Sequence, residues 1–158
     1  MRYKILVVDD EQTIRELLAE LLSIEGYEVV SASNGREAIR LAALGTPHLV
    51  ILDANMPELD GIETAWELRS QHETCWVPII MVTAFAETPT EALHAGVDDF
   101  VTKPFKVSDL LARVKALLNV RHVEGEAERA VAYSQELREI LSRVQRWNAT
   151  AGRVLFAA

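Results

Sequence analysis

At 158 residues the chain has room for one domain with a sizeable core, and its 49% hydrophobic and 25% charged residues are ordinary for a globular protein. No apolar run approaches the roughly 20 residues that a membrane helix needs. The net charge is −8, carried entirely by residues 1–121, while residues 122–158 are neutral; neither part has the basic excess of a nucleic-acid surface, so no direct nucleic-acid contact is expected.

The first stretch, Met-Arg-Tyr-Lys-Ile-Leu-Val-Val-Asp-Asp, is too short and too acidic for a signal peptide, so the expected location is the cytoplasm. Within it, Lys4–Val8 reads as a buried strand. Ile14, Leu17, Leu18, Leu21 and Leu22 then recur at helical spacing over residues 13–24, and Gly26 ends that helix. Residues 27–32 resume as a strand. Asn34-Gly35 turns the chain into a helix over 36–44, which Gly45-Thr46-Pro47 stops. A strand over 49–52, a helix over 61–71 and a strand over 79–82 follow. The sole cysteine, Cys75, is expected at the edge of that last strand as a packed, reduced thiol. A short helix over 89–95 is closed by Gly96. The last strand, 100–102, leads to a helix over 108–118 with Ser108 as its N-cap. The four histidines share no metal-ligand spacing and read as surface or packing residues.

Five strands alternating with helices predict an α/β fold, a doubly wound parallel sheet covered on both faces. Such sheets bind ligands outside the carboxyl ends of their strands. Those ends carry Asp9-Asp10, Asp53, Thr83 and Lys103. Two carboxylates about 4 Å apart repel by roughly 4 kcal/mol at an effective dielectric near 20. Three acids gathered with a phosphoryl group therefore need a counter-charge, and the hard, oxygen-seeking Mg²⁺ suits them. Lys103 adds a fixed positive charge, and a carboxylate is a competent nucleophile for phosphoryl transfer.

The stretches Ile5-Leu-Val-Val-Asp-Asp-Glu11, Leu52-Asp-Ala-Asn-Met-Pro-Glu-Leu-Asp-Gly61, Val82-Thr-Ala84 and Asp99-Phe-Val-Thr-Lys-Pro-Phe105, in this order, resemble the two-component response-regulator receiver family. The resemblance covers about residues 1–120. It implies a flavodoxin-like strand order 2-1-3-4-5 and a switch driven by phosphorylation of Asp53 with Mg²⁺ bound. It implies that Asp10 binds the metal directly, Asp9 largely through water, and Asn55 through its backbone carbonyl. Lys103 would contact the phosphoryl group, with a cis bond to Pro104. Thr83 would swing toward the phosphate and Phe100 would follow inward, reshaping the surface formed by the helix over 89–95, the fifth strand and the helix over 108–118. The donor would be a sensor histidine kinase or a histidine phosphotransfer protein, and the chain would catalyse only its own phosphorylation and dephosphorylation. Asp60-Gly61 reads as a turn and helix start, Met56-Pro57 as shaping the loop after Asp53, and Asp98 and Asp99 as solvated. Ala84 leaves the site open, and Phe85 is expected to shield the acyl phosphate from water.

Two other classes compete. An aspartate-nucleophile phosphatase looks for a second acid two residues after the nucleophile; Asn55 stands there and cannot act as a general acid. A pseudo-receiver would be expected to lose Asp10, Asp53 or Lys103, and all three are present.

Residues 122–158 read as a helical extension of a receiver spanning 1–121. Helix formers dominate from 123 to 146, and a heptad register places Val120, Ala127, Ser134 and Leu141 at one core position and Val123, Ala130, Leu137 and Val144 at the other. The pattern predicts a coiled coil, as a parallel homodimer extending the preceding helix, or a helix folded back on its own receiver. Gly125 marks a bend, and the apolar stretch 152–158 is expected to fray or to dock on a neighbour. A tail of this kind resembles the linkers that join receivers to cyclase, phosphodiesterase or kinase output domains.

Overall fold

The computed structural model describes residues 2–84, 90 and 94–157, with side chains through residue 146 and at residue 149. Its strands are β1 (Lys4–Val8), β2 (Glu28–Ala32), β3 (Leu49–Asp53), β4 (Ile79–Thr83) and β5 (Asp99–Thr102). Among the described residues the helices are α1 (Gln12–Ile24), α2 (Gly35–Leu44), α3 (Gly61–Ser70), α4 (Val107–Val120) and α5 (Glu126–Ala157). The sheet is parallel throughout, in the order β2-β1-β3-β4-β5. Phe85 and most of the expected helix over 89–95 lie outside the described residues.

Every residue of β3 and β4 is buried, which is why these runs are continuously apolar and do not alternate. The pleat sends alternate side chains to opposite faces. Ile5, Val7, Ile51, Ile80 and Val101 meet α1, α4 and α5, and Leu6, Val8, Leu52 and Met81 meet α2 and α3. Each such side chain contributes about 1.5–3 kcal/mol when fully buried. Asn34 caps α2 by accepting the Glu37 N–H at 2.8 Å. Asp60 and Glu63 form a capping box at the start of α3, so Asp60-Gly61 is the helix start that the sequence suggests.

Three local expectations need correction. Helix α4 begins at Val107 after Lys106, with no side-chain cap, so Ser108 lies within the first turn and not at the cap. Cys75 sits in the turns before β4, its thiol 3.3 Å from the His72 carbonyl oxygen, and not on the strand edge. The stretch 152–157, expected to fray or to dock on a neighbour, continues the helix and is not frayed.

The tail takes the second of its two expected forms, a helix folded back on its own receiver. Val120 ends α4, Gly125 adopts φ +106°, and α5 turns back along α4 and the β5 edge. A continuous helix extending α4 is therefore not formed. The packed stripe matches the expected one only in part: Val120, Val123 and Leu137 of the heptad register pack on the core, but Ala127, Ala130, Ser134, Leu141 and Val144 are exposed, and Arg129, Tyr133 and Ile140 are buried in their place. The physical reason is the partner surface. The receiver offers two acids that Arg129 and Tyr133 satisfy, and the small residues of the predicted seam have nothing comparable to gain.

Candidate functional site

The carboxyl ends of β1, β3, β4 and β5 converge because the sheet is parallel and in register. Val8 pairs with Leu52, Asp53 with Val82, and Thr83 with Thr102. The next residue of β1, Asp9, thus lies beside Asp53, and Lys103, at the end of β5 beyond β4, reaches back toward both. Carboxylate oxygens of Asp9, Asp10 and Asp53 lie within 4.8 Å of one another. Asp9 and Asp53 are buried, 3% and 4% exposed, and Asp10 is open to solvent. Lys103 Nζ lies 3.2 Å from Asp9 Oδ2 and 3.6 Å from Asp53 Oδ1.

Backbone contacts fix these groups. The Asn55 N–H donates to Asp53 Oδ1 at 3.2 Å, and the Glu11 N–H donates to Asp9 Oδ1 at 2.9 Å. The Lys103 N–H donates to the Thr83 carbonyl at 2.7 Å, which ties the lysine strand to the threonine. Thr83 is buried and Phe100 half-buried. The Lys103–Pro104 bond is cis. Gly61 is demanded by close approach: a Cβ there would fall 2.7 Å from Ala54 Cα and against the Asp53 carbonyl oxygen. The glycine lets the first turn of α3 press directly on the backbone that carries Asp53.

Burial, and next the charge of Asp9, push the Asp53 carboxyl up to about 6, against the Asn55 N–H and Lys103, which favour its ionised form. Burial works against the Lys103 ammonium, but Asp53 and Asp9 outweigh it and hold its pKa above the usual value. Three acids face one cation. The site is therefore under-neutralised, and its all-oxygen donor set fits a hard divalent ion. Of the residues read from the sequence as part of the site, Asp9, Asp10, Asp53, Asn55, Thr83 and Lys103 fall at or beside this edge of the sheet, and Phe100 lies inside it, in register with Met81 and packed on the core.

Sequence reasoning missed two groups. Arg15, one turn into α1, donates to the Asp9 carbonyl at 2.7 Å and steadies the first acidic loop. Asp98 and Asp99 are not solvated. Asp98 binds Arg69 at 3.0 Å and Arg129 at 2.8 Å, and Asp99 binds Arg113 and Tyr133. Partners 14 to 34 residues away leave no local signal.

The family model for the response regulator receiver domain matches residues 5–115. Among curated relatives, the probable transcriptional regulator ycf27 of Cyanophora paradoxa is 47% identical over 117 residues, which are 73% of this chain and 48% of that protein. The chain spans about half the length of the curated relatives it matches. Among solved structures, the response regulator TrrA of Thermotoga maritima, in complex with Mg²⁺ and BeF, is 42% identical with a TM-score of 0.66, over 73% of this chain and 98% of that one. The receiver domain of sensor histidine kinase PA1611 from Pseudomonas aeruginosa, with a magnesium ion coordinated in its active-site cleft, is 29% identical with a TM-score of 0.70, over 75% and 99%. Relatives named as transcriptional regulators give no support to the expectation that nucleic acid is never contacted. With the sheet order, the acidic edge and the matched residues in agreement, the chain belongs to the response regulator receiver domain family.

Proposed function

We propose that the chain is a phosphorylation-activated switch of a two-component relay, with Asp53 as phosphoacceptor. One observation carries the reading: a buried Asp53 at the end of a central strand, crowded by Asp9 and Asp10 and faced by Lys103 3.6 Å away. A sensor histidine kinase or a histidine phosphotransfer protein supplies the phosphoryl group. An Asp53 carboxylate oxygen bonds to phosphorus as the bond to the donor nitrogen breaks, and water later reverses the modification. At neutral pH a carboxyl titrating near 6 is mostly ionised and so nucleophilic. Asp10, Asp53 and the Asn55 carbonyl would hold Mg²⁺ directly and Asp9 through water. Bound there, the ion supplies charge neutralisation for the transferring group.

Lys103 pairs with a phosphoryl oxygen, Thr83 donates its hydroxyl to another, and Phe100 moves inward behind it. The chain acts on no external substrate and works in the cytoplasm; among the described residues no helix is long and apolar enough to cross a membrane. A second copy would pair through the exposed Leu141 and Val144, and sedimentation of the full chain against Leu141→Glu tests that pairing.

Intact-mass measurement after incubation with Mg²⁺ and acetyl phosphate tests the phosphoacceptor reading. Stoichiometric modification, absent in Asp53→Ala, is expected. Continuous turnover of the donor without modification would favour a phosphatase, and no reaction a pseudo-receiver.

A further inference from the structure

Strand β5 is only four residues long, roughly 13 Å from end to end at the usual rise. Its far end runs into Lys103, at the phosphoacceptor site. Its near end is gripped by the tail. Arg129, 3% exposed on α5, donates to Asp98 Oδ1 at 2.8 Å and Oδ2 at 3.2 Å, and also to the Trp76 carbonyl. Asp98 Oδ2 also accepts from the Ile79 N–H at 2.9 Å and from Arg69, so one carboxylate joins α3, β4 and α5. Tyr133 donates its hydroxyl to Asp99, which Arg113 of α4 also binds. Burial and the negative charge of Asp99 raise the Tyr133 hydroxyl far above its usual pKa, which keeps it a donor.

The alternation of β5 gives this grip a direction. Asp99 and Val101 face α4 and α5, while Phe100 between them faces the opposite core with Met81 and Val97. The Phe100 N–H donates to Asp99 Oδ1 at 2.8 Å, so the two residues move together. A shift of Phe100 on its face of β5 would pass through the shared backbone to Asp99 on the other face and loosen its contacts with Tyr133 and Arg113. Two buried polar contacts of α5 are then strained at once, and buried polar groups tolerate lost partners poorly.

We infer that α5 is an intramolecular latch on the start of β5, and that its docking and the phosphorylation of Asp53 oppose each other. In the unphosphorylated protein the latch is closed; phosphorylation loosens it and presents the helix to a partner. This rests on the phosphoacceptor reading above. Coupling between two sites is reciprocal, so a weakened latch must make the phosphorylated state easier to reach.

The test uses the full chain, with Mg²⁺ and beryllofluoride as the probe. Hydrogen exchange of α5 amides over 129–140 should accelerate when the probe binds the native protein, and should not respond in Asp53→Asn. Arg129→Ala, and the gentler Tyr133→Phe in case the first fails to fold, should bind beryllofluoride at least about five-fold more tightly. Binding of the probe with unchanged or slowed exchange in α5, or with equal affinity in native protein and Tyr133→Phe, overturns the latch. Failure of the native protein to bind the probe at all would instead sink the phosphoacceptor reading, and the latch with it.

Discussion

Asp53 pays for its position with a raised pKa, and that has a measurable sign. Burial and Asp9 lift its carboxyl from an ordinary 3.8 to about 6. The native state therefore holds a proton that the unfolded chain has released between those values, and stability falls as pH rises through that window. Without metal, Asp53→Asn should melt about 2–6 °C higher than the native protein at pH 7. The gain should shrink as pH is lowered toward 4 and the native carboxyl is itself protonated; a gain constant across that range would refute the assignment. Gly61 makes a second prediction. A methyl group there meets the backbone of Asp53 and Ala54, so Gly61→Ala should cost about 1–3 kcal/mol in urea unfolding. It should also slow phosphorylation by acetyl phosphate, since the strain falls on the residue that accepts it.

Among the elements, β3 and β4 needed only their sequence to be placed, because unbroken apolar runs have no other home than the middle of a covered parallel sheet. The tail helix is the opposite case. Its helical character was legible, but neither its full extent nor the face it buries was. The heptad reading favours Leu141 and Val144; the structure buries Ile140 and Tyr133 and leaves Leu141 36% and Val144 43% exposed. Unfolding measurements on Ile140→Ala and Leu141→Ala separate the two registers. The first should lose about 2–4 kcal/mol and the second under about 1. Reversed magnitudes would show that the helix packs through the other stripe.

For the whole molecule, three of the acids of the negatively charged residues 1–121 meet at one place, the acidic edge of the sheet. A cation that binds the folded site and not the unfolded chain stabilises by mass action, about 2.7 kcal/mol at a hundred times its dissociation constant. Mg²⁺ should therefore raise the melting temperature of the native protein by several degrees. Asp10→Asn, which removes an exposed carboxylate with no core role, should abolish most of that rise. An equal rise in the variant would mean that the ion stabilises the protein from somewhere else. Because α5 covers part of the α4 and β5 surface, the same titration followed through tail exchange reports whether site and tail respond as one unit.

The chain by itself determined the alternation of strands and helices, the end of the sheet where chemistry gathers, and the identities of Asp9, Asp10, Asp53, Thr83 and Lys103. Each of these rests on periodicity or on a position relative to a strand end, which are local properties of a sequence. Only tertiary structure decided the roles of Asp98, Asp99, Arg69, Arg113, Arg129 and Tyr133. Acids before a short strand look solvated until the helix that neutralises them is folded against them, and the identity of that partner is settled by packing in three dimensions, not by spacing along the chain.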